Sequence, residues 1–394
     1  MVTFLPFPGF RPALAAGEQI GDRVSPPYDV IGEAYLRELQ SNANNIANLT
    51  LKRDADGRYL GARAELDRMA SDGSLEQDGD SFYLYEQTFE DHGAPKMRRG
   101  IVGILKTEEY CAGNVIPHEE TFSKVKEDRL NLLRDMEAHL ESIFCVHEGL
   151  SDGLNCAIAA AAKLLYRHVD GQNVEHRFYR IADEAVAKRI SDEFADRKVL
   201  IADGHHRYET ALNYSKENPW DRKKGFVLAT LVSAGDGGLV VWPTHRLVDS
   251  PGTSEGEAIA SMSESMEVRD AGAEELRDMP GDWMFGMIFR SGRRMLARLP
   301  GGEGLWGLDT YVAQELVIKK AYGYGEGDAS VSYDAELDSV ERSMGEGGHD
   351  LAIVLRDPSL KAIWDLSMAG MRMPKKTTFF FPKIWSGFAI YRMS

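Results

Sequence analysis

Lys198-Val-Leu-Ile-Ala-Asp-Gly-His-His-Arg-Tyr-Glu209 is the stretch from which the fold is read. Residues 198–202 form an apolar run that predicts a buried strand, and Asp203-Gly204 predicts a tight turn. From His205 to about residue 216 a helix follows, with Tyr208, Ala211, Leu212 and Ser215 on one face. Glycine lets the backbone turn sharply, and the N–H groups that open a helix, together with its dipole, favour an anion. A cation in a first helical turn is disfavoured by a few tenths to about 1 kcal/mol, so Arg207 there implies a bound anion or an acidic partner. Asp203 is a candidate helix cap. Neighbouring helical residues point about 100° apart, so at most one of His205 and His206 faces a ligand. The plainer alternative is a capped helix whose His and Arg make surface hydrogen bonds.

Upstream, residues 1–30 are rich in proline, and Arg23-Val-Ser-Pro-Pro-Tyr-Asp29 reads as a stiff extended loop. Helical periodicity predicts helices over 32–40, 61–70, 124–139, 156–166 and 184–194. Alternating patterns predict a hairpin of strands 81–88 and 99–107 turning at Asp91-His92-Gly93, and a strand over 142–147. Downstream, strands are expected over 226–233 and 239–242. The composition turns to Pro, Gly and Ser at 250–255, which places a domain boundary there, between 1–250 and 251–394. The second part is expected to hold helices near 257–266 and 311–321, a hairpin turning at Ser291-Gly292 and a strand over 351–355. Its last segment, 373–383, is aromatic and basic. The fold class is therefore α+β, in two lobes.

A chain of 394 residues exceeds one ordinary core, and 43% apolar with 27% charged residues suits a globular protein. With 62 acidic against 46 basic residues and a net charge of -16, the chain opposes polyanions, so nucleic acid is not expected as a partner. A small phosphorylated ligand or nucleotide in a locally basic cleft is compatible with that charge. Cys111, Cys145 and Cys156 have neither disulfide nor zinc spacing, and they read as buried small hydrophobes. No apolar window reaches the 18 to 20 or so residues of a membrane span, and the first residues lack a signal-peptide pattern, so a cytoplasmic protein is expected.

Three further constellations carry possible chemistry. His118-Glu119-Glu120-Thr121 offers a base, two carboxylates and a hydroxyl before a helix, suited to proton abstraction or Mg2+ coordination, or else to helix capping among solvated charges. Lys126 and Arg129 on that helix are either phosphate contacts or charged surface. Pro243-Thr244-His245-Arg246 follows a buried strand, where side chains reach a cleft or an exposed loop. Lys375, Lys376 and Lys383 around Phe379 to Phe381 read either as a phosphate clamp or as charges guarding an edge strand.

These motifs resemble the family known as domain of unknown function 1015, carried by Ser25-Pro-Pro-Tyr-Asp-Val30, Pro117-His-Glu-Glu-Thr121, Asp128-Arg-Leu130, Ala202-Asp-Gly-His-His-Arg-Tyr-Glu209, Pro243-Thr-His-Arg246 and Met373-Pro-Lys-Lys-Thr-Thr-Phe-Phe-Phe-Pro-Lys383. More remotely, the Asp-Gly-His-His-Arg turn is similar to the phosphate-binding turn of the ParB and sulfiredoxin superfamily, which includes a free serine kinase. That resemblance implies a mixed-sheet ParB/sulfiredoxin-like core over 1–250, with catalytic or nucleotide-binding function, and a C-terminal α+β lobe whose basic tail is a candidate to return to the cleft. Sulfiredoxin carries its reactive Cys where this chain has His205, which excludes that chemistry, and no helix-turn-helix suits a ParB role. The implied activity is phosphoryl transfer to a small metabolite, with Mg2+ and ATP or ADP. Asp203, Gly204, His206, Arg207, His245, Arg246, Lys375 and Lys383 would bind phosphate or nucleotide, and His118, Glu119, Glu120 and His205 would be catalytic. The alternatives are a non-catalytic nucleotide sensor or scaffold and a phosphatase or nucleotidase.

Overall fold

The computed structural model describes residues 1–120, 123–249, 252–324 and 331–394, without the side chains of 123–126. Thr121 and the Lys126 side chain lie outside that description, as do Ser250 and Pro251 of the expected boundary. The chain divides into two compact units that are not consecutive in sequence. The first comprises Met1–Pro117, Thr121–Val240 and Pro382–Ser394, and the second His118–Glu120 and Val241–Phe381.

The first unit is built on a mixed sheet with nine strands among the described residues. Its order is Val115–Pro117, Val199–Asp203, Ile143–His147, Phe226–Ser233, Ala94–Lys106, Phe82–Asp91, Glu175–Ile181 and Lys163–Val169, with Phe4–Leu5 paired to the end of Ala94–Lys106. Val199–Asp203 runs parallel to Val115–Pro117 and antiparallel to Ile143–His147, and so lies buried between them. This explains its unbroken apolar run, because a strand flanked on both edges and covered on both faces has no solvent side to pattern. The pairing slips one residue at Ala202, between Ile201↔Cys145 and Asp203↔Phe144. A bulge re-aims the side chains beyond it, which here are those of the turn.

The second unit holds a six-stranded sheet in the order Glu267–Asp270, Arg294–Arg298, Phe285–Phe289, Leu351–Leu355, His245–Val248, Val331–Asp334, with every pairing antiparallel. Val312, Ala313, Val317 and Ile318 pack with Phe285, Met287, Leu351 and Ile353 in its core. Ser254 caps the Glu255–Ser263 helix by accepting from the Glu257 N–H at 3.3 Å, while the Glu257 carboxylate returns to the Ser254 N–H at 3.0 Å. Phe379–Phe381 pairs with Val240–Trp242, and the Trp242 and Phe381 rings stack with centroids 3.8 Å apart. The α+β class and the mixed sheet are as the sequence predicts. Among the described residues no helix is long and apolar enough to cross a membrane.

Three local expectations fail. The predicted helix over 156–166 is instead Asp152–Ala161 followed by the strand Lys163–Val169, which pairs antiparallel with Glu175–Ile181. Leu164-Leu-Tyr166 continues an Ala-rich helical pattern in sequence, but the ladder and the burial of Tyr166, whose hydroxyl donates to the Pro12 carbonyl, outweigh local propensity. The helix predicted over 124–139 ends at Met136, because Glu137 takes φ +47° and Ala138–His139 pairs with Tyr391–Arg392. Cys111 and Cys156 are exposed, and Cys145 alone of the three is buried.

Candidate functional site

In the first unit the candidate site starts at Gly204, whose φ of +91° and ψ of +28° place it in the left-handed region between the strand and the His205–Glu217 helix. A Cβ at Gly204 would lie 3.1 Å from Cζ, Nε and Nη2 of Arg207, so the missing side chain is also what lets the guanidinium fold back over the turn. Arg207 donates through Nη2 to Asp203 Oδ2 at 2.7 Å and through Nη1 to the Ser142 carbonyl. Lys383 Nζ donates to Asp203 Oδ1 at 2.9 Å. Each carboxylate oxygen of Asp203 therefore holds one cation. Asp203 directly precedes Gly204, the residue at the helix N-cap, and its two oxygens are engaged by these cations.

Lys383 is delivered by the last segment of the chain, which is anchored on the sheet. Gln87 Nε2 donates to the Lys383 carbonyl at 2.9 Å, and the buried Arg98 donates to the Pro382 carbonyl and to Gln87 Oε1. His205 is buried under the first helical turn and His206 is half-buried, so the two neighbours do face different surroundings.

A second layer of charge surrounds the turn. Arg129, buried on the Ser123–Met136 helix, donates through Nη2 to Asp128 Oδ2 at 2.7 Å and to the Tyr59 hydroxyl at 3.1 Å. Its guanidinium lies 4.7 Å from the Tyr28 ring centroid, and the Tyr28 N–H donates to Glu141 Oε1 at 3.3 Å. Burial opposes the charge of Arg207, but Asp203, Glu141, Tyr28 and Asp29 outweigh it and hold the guanidinium pKa above its ordinary value. Burial likewise opposes Lys383, and Asp203 and Asp29 more than restore it. The Tyr28 phenol is pushed up to about 12, first by burial. Around this turn the cations Arg129, Arg207 and Lys383 thus meet the carboxylates Asp29, Asp128, Glu141 and Asp203. Sequence reading missed Glu141 and gave Tyr28 and Asp29 no chemistry. Their one signal was the Ser25-Pro-Pro-Tyr-Asp29 motif, which spacing alone reads as a stiff loop.

In the second unit His118, Glu119 and the segment 373–378 form one cluster. Glu119 Oε1 accepts from the N–H groups of Thr377 and Thr378 and from the Thr378 hydroxyl, each at 3.0 Å, and Oε2 accepts from the Lys376 N–H at 3.3 Å. Lys376 sits at φ +57° within the turn that this carboxylate gathers. His118 is fully buried, with Nε2 2.8 Å from the Thr378 hydroxyl and 3.3 Å from Glu119 Oε1. Glu120 is exposed, and its N–H donates to the Met373 carbonyl at 3.3 Å. Lys375 is half-buried.

His245 and Arg246 stand on the His245–Val248 strand, and both are buried. His245 Nδ1 accepts from the Leu355 N–H at 3.1 Å, and burial, helped by Arg246, pushes its pKa down to about 4. Arg246 donates through Nη1 to the Thr244 carbonyl, and its Cζ lies 5.7 Å from the Tyr333 ring centroid. Its Nε and Nη2 have no hydrogen-bond partner among the described residues, and burial lowers its pKa. The expected residues therefore divide into Asp203, Gly204, His205, His206, Arg207 and Lys383 in the first unit and His118, Glu119, Glu120, His245, Arg246 and Lys375 in the second. Among the described residues no group of three or more His, Cys, Asp or Glu side chains is arranged to hold a metal ion by itself.

Among solved structures the chain is similar to free serine kinase in complex with AMP, at 15% identity over 68% of this chain and 83% of that one, with a TM-score of 0.38. It is similar at 15% identity to a conserved hypothetical protein from Pyrococcus furiosus, over 70% and 93% of the two chains, with a TM-score of 0.38. SbnI from Staphylococcus aureus, truncated at its C-terminus, aligns at 10% identity over 72% and 85%, with a TM-score of 0.41. Likeness at this level carries no inference about activity. No curated protein matches the chain. The sequence match to a known family is of a different order, since it extends over residues 4–313, and the chain belongs to that family, described as protein of unknown function (DUF1015).

Proposed function

We propose that the protein binds a phosphorylated small molecule, a nucleotide foremost, at the Asp203 to Arg207 turn, and that it transfers a phosphoryl group to a small hydroxyl-bearing metabolite. The observation that carries this reading is the left-handed Gly204 opening a 13-residue helix while Arg207 and Lys383 are clamped side by side on one carboxylate. Helix-start N–H groups and two fixed cations are what a phosphate needs, and phosphoryl transfer asks the protein mainly for positioning and charge neutralisation.

The charge balance refines the proposal. The named carboxylates outnumber the named cations around the turn, so a bare phosphate would be repelled by Asp29, Glu141 and Asp203 unless a divalent cation came with it. Mg2+ is commonly held by one or two carboxylates plus substrate phosphates, and Glu141 would be the protein's share, since Asp203 already holds Arg207 and Lys383. Glu119, by contrast, spends its lone pairs on three backbone N–H groups and a hydroxyl, which suits a role in shaping the 373–378 turn better than one as a proton acceptor.

The test is incubation of the protein with ATP or ADP, Mg2+ and a panel of hydroxy amino acids. A phosphorylated product supports transfer. Saturable, Mg2+-dependent nucleotide binding without product reduces the reading to a sensor, and inorganic phosphate released without any acceptor makes it a phosphatase. Unchanged nucleotide affinity in a folded Arg207→Ala variant would remove the site from this turn.

A further inference from the structure

Beneath the turn, between the Ser123–Met136 helix, the Ala138–His139 strand and the His205–Glu217 helix, lies a cavity of about 40 Å3. Leu132, Leu133 and Leu140 supply apolar wall, and Arg129, His139, Glu141, Arg207 and Thr210 supply the polar lining. Three of those polar residues each bring one buried atom that has no hydrogen-bond partner among the described residues: Arg129 Nη1, His139 Nε2 and Thr210 Oγ1. The residues are 6%, 7% and 3% exposed. Buried polar atoms are nearly always paired, so three orphans on one small cavity mark a place built around something.

The chemistry of the orphans selects the occupant. Arg129 Nη1 can only donate, and the Glu141 carboxylate that shares the lining can only accept. His139 is neutral at ordinary pH, its pKa pushed down to about 4 by burial, so Nε2 offers either an N–H or a lone pair and needs the complement. Thr210 offers both. An anion would satisfy Arg129 but face Glu141, and a cation the reverse. A hydroxyl donates and accepts at once. The volume is a few times the 10 to 15 Å3 or so that one water requires, which leaves room for two or three heavy atoms and excludes a nucleotide.

We propose that this cavity is a hydroxyl-binding site, taking a short chain of water molecules or the hydroxyl end of one small alcohol, which bridges Arg129, His139 and Thr210 behind Arg207. The site does not depend on the phosphate reading, because its occupant is recognised on the inner face of the helix by groups other than the Asp203 clamp. It would tie the helix that carries Arg129 to the one that carries Arg207.

A high-resolution crystal structure of the full chain tests it, once in plain buffer and once soaked in ethylene glycol. An oxygen peak within hydrogen-bond distance of Arg129 Nη1, His139 Nε2 and Thr210 Oγ1 is expected in native protein, retained in Thr210→Ser and lost or displaced in the isosteric Thr210→Val. A peak in plain buffer identifies solvent as the source, and one present only after soaking identifies an alcohol. No peak in either condition, side chains turned to bond one another, or an anomalous peak there after a bromide soak would overturn the proposal.

Discussion

Arg207 and Arg246 are two arginines that the family resemblance implicates in phosphate binding, each next to a histidine, and the structure treats them oppositely. Arg207 has Asp203, the Ser142 carbonyl and a ring of further carboxylates, which keep its charge in spite of burial. Arg246 is buried completely, bonds one carbonyl, and leaves the Nε and Nη2 edge, the one that grips an oxyanion with two parallel bonds, without a hydrogen-bond partner among the described residues. The first arginine is compensated from within the chain. In the second, burial lowers the guanidinium pKa in spite of Tyr333, Asp309 and Glu119 nearby.

The largest effect should come from breaking the compensated side. Arg207→Met strips a donor from Asp203 and from the Ser142 carbonyl at once, and removing one partner of a largely buried pair costs about 3 kcal/mol, readable as a lower urea midpoint. Pairing it with Asp203→Asn in a double-mutant cycle should return a coupling of at least about 1 kcal/mol. Additive effects would mean that the clamp is geometry without energy.

Acid should then act on both units. His139 and His147 in the first and His245 in the second are each pushed down to about 4 by burial. Such rings are neutral when folded but take a proton near 6.5 when unfolded. Their contribution is therefore complete above pH 6.5 and is lost as pH falls through the window from 6.5 to 4. The slope is at most about 1.4 kcal/mol per pH unit for each ring. Urea midpoints followed across that window should fall with acidity, and replacing His245 by Phe should flatten only the second unit's share. A stability that stays level from pH 6.5 to 4 would contradict the burial of all three.

Gly204→Ala sharpens the comparison at the backbone, since Arg246 has no equivalent glycine. A φ of +91° and a Cβ 3.1 Å from three guanidinium atoms should together cost about 1 to 3 kcal/mol, with nucleotide affinity falling alongside stability. The smallest effect is expected at Arg246→Met, which exchanges an under-bonded buried cation for an apolar side chain and should change stability by less than about 1 kcal/mol or raise it. If inorganic phosphate stabilises the native protein but not this variant, Arg246 is the arginine that an oxyanion completes.

The strand, glycine turn and helix around Asp203 were legible because period, turn residue and helix face agree over one short stretch. Periodicity also found the long hairpin and the strands Ile143–His147, Phe226–Ser233 and Leu351–Leu355. It failed at 163–169, where an alanine-rich helical pattern lost to a neighbouring strand 12 residues or so away in sequence, and at Glu137, where pairing with the final strand ended a helix that local propensity would continue. His118-Glu119-Glu120-Thr121 reads as a base and carboxylates before a helix, and only the folded turn at 373–378 shows that backbone N–H groups meet the Glu119 carboxylate.

By itself, then, the sequence determined the α+β class, the glycine turn that opens the helix at His205 and the family, because each is written in short-range pattern or in motif order. Tertiary structure alone decided which charges are satisfied. It set Lys383 on Asp203, 180 residues away in sequence, placed Arg129, Glu141 and Thr210 around one cavity, and buried Arg246 on a strand. Hydrogen bonds and ion pairs are made between groups that meet in space, so their balance is fixed only when the chain is folded.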